Sequence, residues 1–448
     1  MPVPAARGGP GFVVLLAVAL GAAPAPGRAD PSGVTWDERI AVATGGGSRG
    51  PWRMNESEYD YVDDPTVALT ERGVLGIGWA DQSRHDIFLR IYEPDGGGRF
   101  AEPVNVSGSP RTFSWLPRML LAPGDASQVC LLWQEIVFSG GSHGGEILFA
   151  RSTDGGRTFG EPLNLSNSSA GDGKGRLTRR HWHNGSLDLA EGPEGHLYAA
   201  WTEYEGALWF SRSADRGGSF SAPLRIAGDD ASPARGPSLA VGAEGAVHLA
   251  WAVGEDEAAD IRVATSVDRG RSFGEPRIVA AGEGHADAPR IAVDGGGTVH
   301  LVYAESPVGP FGHHRIRYTR SRDGGLTFEE PREISGPHVE RSGGAHYPAL
   351  GVDGEDDLYV AWELFPRGED HPRGLGFARS GDGGRTFASP SVVPGSADPA
   401  LGVNGGQQGL LMSKLAVNGA GTVAVVNSTF ARDEASHVWL FRGRAAGR

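Results

Sequence analysis

An eight-residue pattern, Ser-x-Asp-x-Gly-x-Ser/Thr-Phe, recurs five times in this chain. The copies are STDGGRTF at 152–159, SADRGGSF at 213–220, SVDRGRSF at 266–273, SRDGGLTF at 321–328 and SGDGGRTF at 380–387, with a degenerate sixth, EPDGGGRF, at 93–100. A fixed period of roughly 50 to 65 residues constrains the fold more than length does, because repeated units bury their apolar faces against one another. The chemistry of the pattern is that of a tight turn. Asp accepts backbone N–H bonds, the hydroxyl does the same, Gly supplies a positive φ, and Phe is expected to pack back under its own unit. Asp154, Asp215, Asp268, Asp323 and Asp382 are therefore read as structural residues.

Each pattern is followed by a short extended segment containing proline, such as FGEPLNLS or FEEPREISG. Next comes a hairpin signal, an alternating strand, a Gly/Asp/Glu turn and a more apolar strand, as in DDPTVALTERGVLGIGWAD at 63–81 and APRIAVDGGGTVHLVYAE at 288–305. A third strand, for example GEILFARS, leads to the next copy. Seventy Gly, 30 Pro and the lack of helix-period apolar runs agree with an all-β chain. Four antiparallel strands per repeat make a propeller blade, and the hairpins number seven. The last, 412–428, has a third strand at 437–443 but no fourth; residues 34–44 fit the missing register. The expected fold is a single seven-bladed β-propeller over 30–448, with the N-terminal strand 34–44 completing the last blade (412–443) and removing the exposed sheet edges.

Residues 1–29 have the form of a secretory signal: Arg7, an apolar run from Gly11 to Leu20, and Gly-Arg-Ala before Asp30. The run is shorter than the ~20 residues of a membrane span. The mature protein is expected to be secreted or periplasmic. Cys130, the single cysteine, stands among apolar residues and reads as a buried structural thiol. A net charge of −14 argues against nucleic acid, and no polybasic segment invites a membrane surface.

The pattern resembles the Asp-box, or BNR repeat, of the sialidase superfamily of β-propellers, over essentially the whole mature chain from Val34 to Phe441. The resemblance implies the propeller fold; it does not imply sialidase activity, since propellers with these boxes serve many roles. Superfamily members that cleave sialic acid are usually six-bladed, which is the alternative blade count. They clamp the substrate carboxylate with three arginines, the first in an Arg-Ile-Pro motif, and use an Asp acid/base and a Tyr–Glu nucleophile. No Arg-Ile-Pro occurs here, so no catalytic residue is carried over.

The boxes lie on one face of such a ring, and the starts of the inner strands converge on the other. Those starts carry Asp63, Asp64, Arg118, His183, Asn184, Arg235, Asp287, Arg290, His346, Tyr347 and Lys414. Arg118, Arg290 and Lys414 share one register position and suit a carboxylate, sulfate or phosphate; the alternative is that they pair with Asp63, Asp64 and Asp287 to plug the channel. Exits of the second strands add Asp81, Glu135, Glu203 and Glu305. Catalytic candidates are Asp63, Asp64, Glu135 and Tyr347, because paired carboxylates beside His and Tyr are the material of acid/base glycoside chemistry. HWH at 181–183 and HH at 313–314 lack a third ligand at metal-site spacing, so neither metal nor cofactor is expected. The resulting expectation is a monomeric propeller that binds a carbohydrate or small anionic ligand at its axial mouth. Its enzymatic form would be a sialidase-like exo-glycosidase, and the alternative is a non-catalytic scaffold that binds a protein through the loops 135–146, 305–316 and 364–374.

Overall fold

The computed structural model describes residues 30–446 except 51–57, 95–97, 110–111, 123–126, 140–141, 168–185, 204–205, 230, 255–258, 281–283, 311, 337–342 and 406–412. The expected leader (1–29) and the candidates His183 and Asn184 lie outside the described residues. Seven antiparallel sheets follow one another along the chain. Their innermost strands are Val62–Leu69, Phe113–Leu121, Leu187–Glu191, Ala234–Val241, His285–Val293, Gly344–Val352 and Leu415–Val417, for blades 1 to 7. The fold is a seven-bladed β-propeller.

Closure uses both ends of the chain. In blade 7 the strand Ala435–Ala445 pairs with Val34–Trp36 (Val34 opposite Ala445) and with Ile40–Gly45 (Ile40 opposite Leu440). Blade 7 then meets blade 1 through the amide of Val62, which donates to Ser436 Oγ at 2.8 Å, and Asn418 Nδ2, which donates to the Thr70 carbonyl at 3.0 Å.

The apolar core is divided among the seven seams between blades. Trp133 packs with Ile87 and Leu89 of blade 1, Trp201 with Leu132 and Phe149 of blade 2, Trp251 with Tyr198 and Phe210 of blade 3, and Trp362 with Val302 and Tyr318 of blade 5. Tyr303 takes the same place against blade 4 and Trp79 against blade 7. Trp133, Trp201, Trp251 and Trp362 are wholly buried. Removing a large apolar side chain from water stabilises by roughly 2–3 kcal/mol, so these rings hold neighbouring blades together.

The five boxes share one hydrogen-bond pattern. The first serine (Ser152, Ser213, Ser266, Ser321, Ser380) is buried; its hydroxyl donates to the Asp Oδ1 at 2.7–2.8 Å and accepts the amide of the box glycine at 2.8–2.9 Å. The second hydroxyl donates to Asp Oδ2 at 2.5–2.7 Å. The hydroxyl bonds hold these carboxylates well below the usual range, at about 2 for Asp215 and lower still for Asp154, Asp268 and Asp323. The box glycines have φ between 74° and 86° and lie against the preceding blade: a Cβ on Gly217 would stand 2.7 Å from Phe149, and one on Gly270 2.7 Å from Phe210. The box phenylalanines reach the same place. Phe220 meets Phe149, Phe273 meets Phe210 and Phe387 meets Tyr318, each at 4.9 Å and edge-on. The expectation that Phe packs under its own unit is thus corrected, because the twist of the sheet carries the strand 3–4 turn over the neighbouring blade.

Substitution at the box glycine (Gly217) and at the variable position before it (Gly324, where two other boxes carry Arg216 and Arg269) separates backbone strain from the joint between blades. Gly324→Ala puts a Cβ in open space at φ 74°, whereas Gly217→Ala adds the collision with Phe149 at φ 81°. Urea unfolding is expected to show a loss of about 1–2 kcal/mol for Gly324→Ala and about 2–4 kcal/mol for Gly217→Ala.

Candidate functional site

A motif at the entrance of the inner strands builds the mouth opposite the boxes. In five blades the strand begins with two residues, a proline and a fourth residue: DDPT (63–66), WLPR (115–118), RGPS (235–238), DAPR (287–290) and HYPA (346–349). Pairing slips across each proline, and the residue before it has a left-handed φ of 51–55°: Asp64, Leu116, Gly236, Ala288 and Tyr347. Proline cannot donate to the ladder and is tolerated at such a bulge, which re-aims the side chains around it. Successive tiers of side chains result.

The deep tier is the fourth residue of the motif and its equivalents. Arg118 stands opposite Leu132, Asp188 opposite Ala200, Arg290 opposite Val302, and the Lys414 carbonyl accepts from Val426 in the same register. The three cations are almost fully buried; Arg118 and Lys414 meet carboxylates, Arg290 feels the charge of Asp188, and the Nε atoms of Arg118 and Arg290 have no hydrogen-bond partner. Arg118 Nε lies 3.8 Å from Asp188 Oδ1, and Lys414 forms an ion pair with Glu363, which also accepts from Asn404. Burial and the neighbouring Arg290 push Arg118 down to about 10; burial lowers Lys414, and Glu363 opposes the shift. The carboxylates that meet Arg118 and Lys414 most directly are Asp188 and Glu363; of the partners expected from the sequence, Asp64 also acts on Arg118 through its charge.

The upper tier holds Asp63, Trp115, Arg235, Asp287 and His346. On blades 4 to 6 it brings together several sequence candidates. Arg235 Nη1 lies 3.6 Å from Asp287 Oδ2, and His285 Nε2 lies 3.9 Å from the same oxygen. Arg235 is only 3% exposed, and its Nε and Nη2 have no hydrogen-bond partner. His346 is stacked between His314 (3.9 Å between ring centres, 9° between planes) and Tyr347 (3.8 Å, 16°). Burial pushes His314 down to about 4, and its Nε2 also has no partner. Tyr347 is half-buried; desolvation, then the charge of Asp287, raises its hydroxyl.

Other candidates lie apart. Asp63 and Asp64 belong to blade 1: burial pushes Asp63 up to about 6 against a 3.0 Å bond from Gln82, and burial plus the charge of Asp63 raises Asp64 well above the carboxylate range. Glu135, on blade 2, accepts from Thr112, from Ser114 Oγ at 2.6 Å and from Trp133 Nε1 at 2.9 Å. Asp81 caps the turn at Ser83, and Glu305 pairs with Arg317 at 3.3 Å. The five box aspartates sit in their own turns on the opposite face. His285, Asp188 and Glu363 were not singled out in the sequence, whereas His314 was noticed as one of the pair at 313–314; the repeated x-x-Pro motif was the available signal for the mouth register. Among the described residues no cluster of three or more His, Cys, Asp or Glu could hold a metal ion, and no helix is long and apolar enough to cross a membrane.

Glu135 gives the mouth a measurable pH signature. Burial, outweighing its hydrogen bonds, raises it from 4.5 to about 7, so the folded state holds this proton more tightly than the unfolded chain. Its contribution to stability is complete below about pH 4.5 and lost as the pH rises through about 7. Thermal melts are expected to show a decline for the wild type between about pH 5 and 8 that is smaller in Glu135→Gln, with the variant equal to or above the wild type at pH 8.

No protein-family model matches the chain, and no curated protein matches it. Solved structures do. An ulvan lyase of polysaccharide lyase family PL25, bound to -[GlcA(1-4)Rha3S]-, superposes with a TM-score of 0.57 at 12% identity over 90% of this chain and 95% of that one. The polysaccharide lyase Uly1 superposes at 0.55 with 11% identity over 92% and 100% of the two chains. A Trypanosoma rangeli sialidase matches at 0.47 and 10% identity over 90% of this chain and 59% of its own. What the two lyase superpositions establish is architecture: the chain has the β-propeller fold that the Asp-box resemblance implies, and its own sheets number seven.

Proposed function

We propose that this propeller binds an acidic polysaccharide at its mouth and cleaves it by elimination beside a uronate. The observation that carries the reading is Arg235, a buried guanidinium with two unpartnered N–H groups whose charge acts on Tyr347, the end member of the His314–His346–Tyr347 stack. Leaving such donors unpaired in a protein interior costs free energy, and a carboxylate or sulfate satisfies them with charge-assisted bonds. Elimination needs three groups, and each has a counterpart here. A cation neutralises the uronate carboxylate so that the adjacent C–H becomes acidic, a role suited to Arg235. A neutral base takes that proton; His314, held unprotonated above about pH 4, has a vacant Nε2. A protonated acid gives a proton to the departing glycosidic oxygen as the C–O bond breaks, and Tyr347 keeps its hydroxyl proton. Hydrolysis through a Tyr–Glu pair fits less well, because Glu363, the carboxylate cross-strand from His346, is tied to Lys414 and Asn404. The two polysaccharide lyases among the structural neighbours support the same substrate class.

Purified protein is to be incubated with ulvan, other uronate-containing polysaccharides and sialosides, following the ultraviolet absorbance of unsaturated products, reducing ends and free sialic acid. The expected result is unsaturated product from a uronate polysaccharide, reduced at least 100-fold in kcat/KM by Arg235→Ala. Release of saturated sugar, or no turnover and no binding of any acidic glycan, overturns the proposal. The acid limb of kcat/KM against pH is expected near pH 4, where His314 gains its proton, and not at the ordinary imidazole value.

A further inference from the structure

Trp115 occupies the same upper-tier register as Asp63, Arg235, Asp287 and His346, and alone among these five it is not buried. Its indole N–H donates to Gln82 Oε1 at 2.9 Å. Gln82 is 2% exposed and doubly anchored: its Nε2 donates to Asp63 Oδ1 at 3.0 Å and its amide to the Tyr61 carbonyl at 2.9 Å. Phe113 meets the indole at 6.2 Å with planes at 70°. Of the buried indoles Trp133 donates to Glu135, whereas those of Trp79, Trp201, Trp251 and Trp362 have no partner for their N–H. Desolvation therefore does not explain the bond at Trp115, whose surroundings are the wettest of the group. What the Asp63–Gln82 pair accomplishes is to fix the plane of a solvent-reached ring.

We infer that Trp115 is a stacking platform for a second sugar residue of the polysaccharide bound at Arg235, and that Gln82 and Asp63 are positioning residues for it. The inference rests on the proposed function and adds a subsite to it. With its one polar atom committed inward, the exposed part of Trp115 presents only aromatic surface, which complements the C–H face of a pyranose ring. Blade 2, which carries Trp115, is separated by one blade from blade 4, which carries Arg235, and both residues hold the same register position at the start of their inner strands, so the ring stacked on Trp115 is assigned to a different sugar residue from the one at Arg235. Arg235 then reads the charge of one residue and Trp115 the ring face of another, giving a preference for longer fragments.

The test is calorimetric titration with the disaccharide and the tetrasaccharide of the sulfated glucuronate–rhamnose repeat. Trp115→Ala and Trp115→Leu, the latter retaining apolar bulk, are expected to bind the tetrasaccharide at least tenfold more weakly than the wild type and the disaccharide equally well. Trp115→Phe is expected to stay within threefold of the wild type, and Gln82→Ala to fall between. A purely structural role would weaken both ligands alike and lower the melting temperature of Trp115→Leu. If Arg235→Ala loses both ligands while both Trp115 variants bind the tetrasaccharide as the wild type does, the subsite is overturned and the reading of the mouth stands. If the wild type binds neither oligosaccharide, or Arg235→Ala binds as the wild type does, the reading of the mouth falls and the subsite with it.

Discussion

The joint on which this molecule depends is a buried serine hydroxyl that accepts the amide of a left-handed glycine. In blade 3 it is Ser213 holding Gly217 at 2.8 Å; the glycine and the nearby Phe220 rest on Phe149 of blade 2. A ring of sheets that contact only their neighbours needs the same angle at every seam, and a tight turn pressed on the previous blade sets it. The aspartate of the box accepts from both hydroxyls and from the backbone of the turn, so it preserves the turn and is unavailable for chemistry on substrate. Closure completes the device: the N-terminal strands fill the outer edge of blade 7, and the ring has no open end from which to fray.

A closed ring forces its inner strands to converge, and convergence concentrates polar groups. Three cations at one level would repel one another in a medium of low polarity, and each counter-charge reaches across a seam: Asp188 of blade 3 to Arg118 of blade 2, and Glu363 of blade 6 to Lys414 of blade 7. This floor supports the tier above it, where Arg235 retains donors to offer. Small residues at the left-handed position, Gly236 and Ala288, leave room on blades 4 and 5, while Tyr347 projects from blade 6. The asymmetry of a nearly symmetric ring is what makes a site.

Much of the architecture was legible in the chain. The boxes fixed the period, the hairpins the blade count, and the match of residues 34–44 to the missing strand the mode of closure. The shared register of Arg118, Arg290 and Lys414 was legible too, because it follows from counting along strands. Their partners were not. Asp188 and Glu363 lie 70 and 51 residues from Arg118 and Lys414, and only the turn from blade to blade brings them together. The stacking partner of His314 was hidden for a similar reason: the histidine, noticed in the sequence as one of a pair, enters from a loop of blade 5 to stack on a residue of blade 6.

The sequence by itself determined the repeat, the strand order and the face on which the inner-strand entrances converge, since local turn chemistry and alternation act within a few residues. The tertiary structure decided which charges are spent in the floor and which remain for a ligand, and it moved the box phenylalanine from its own blade to the neighbouring one. The physical reason is common to these outcomes. Pairing across seams depends on sheet twist and ring closure, which sum over the whole chain and leave no mark in any single repeat.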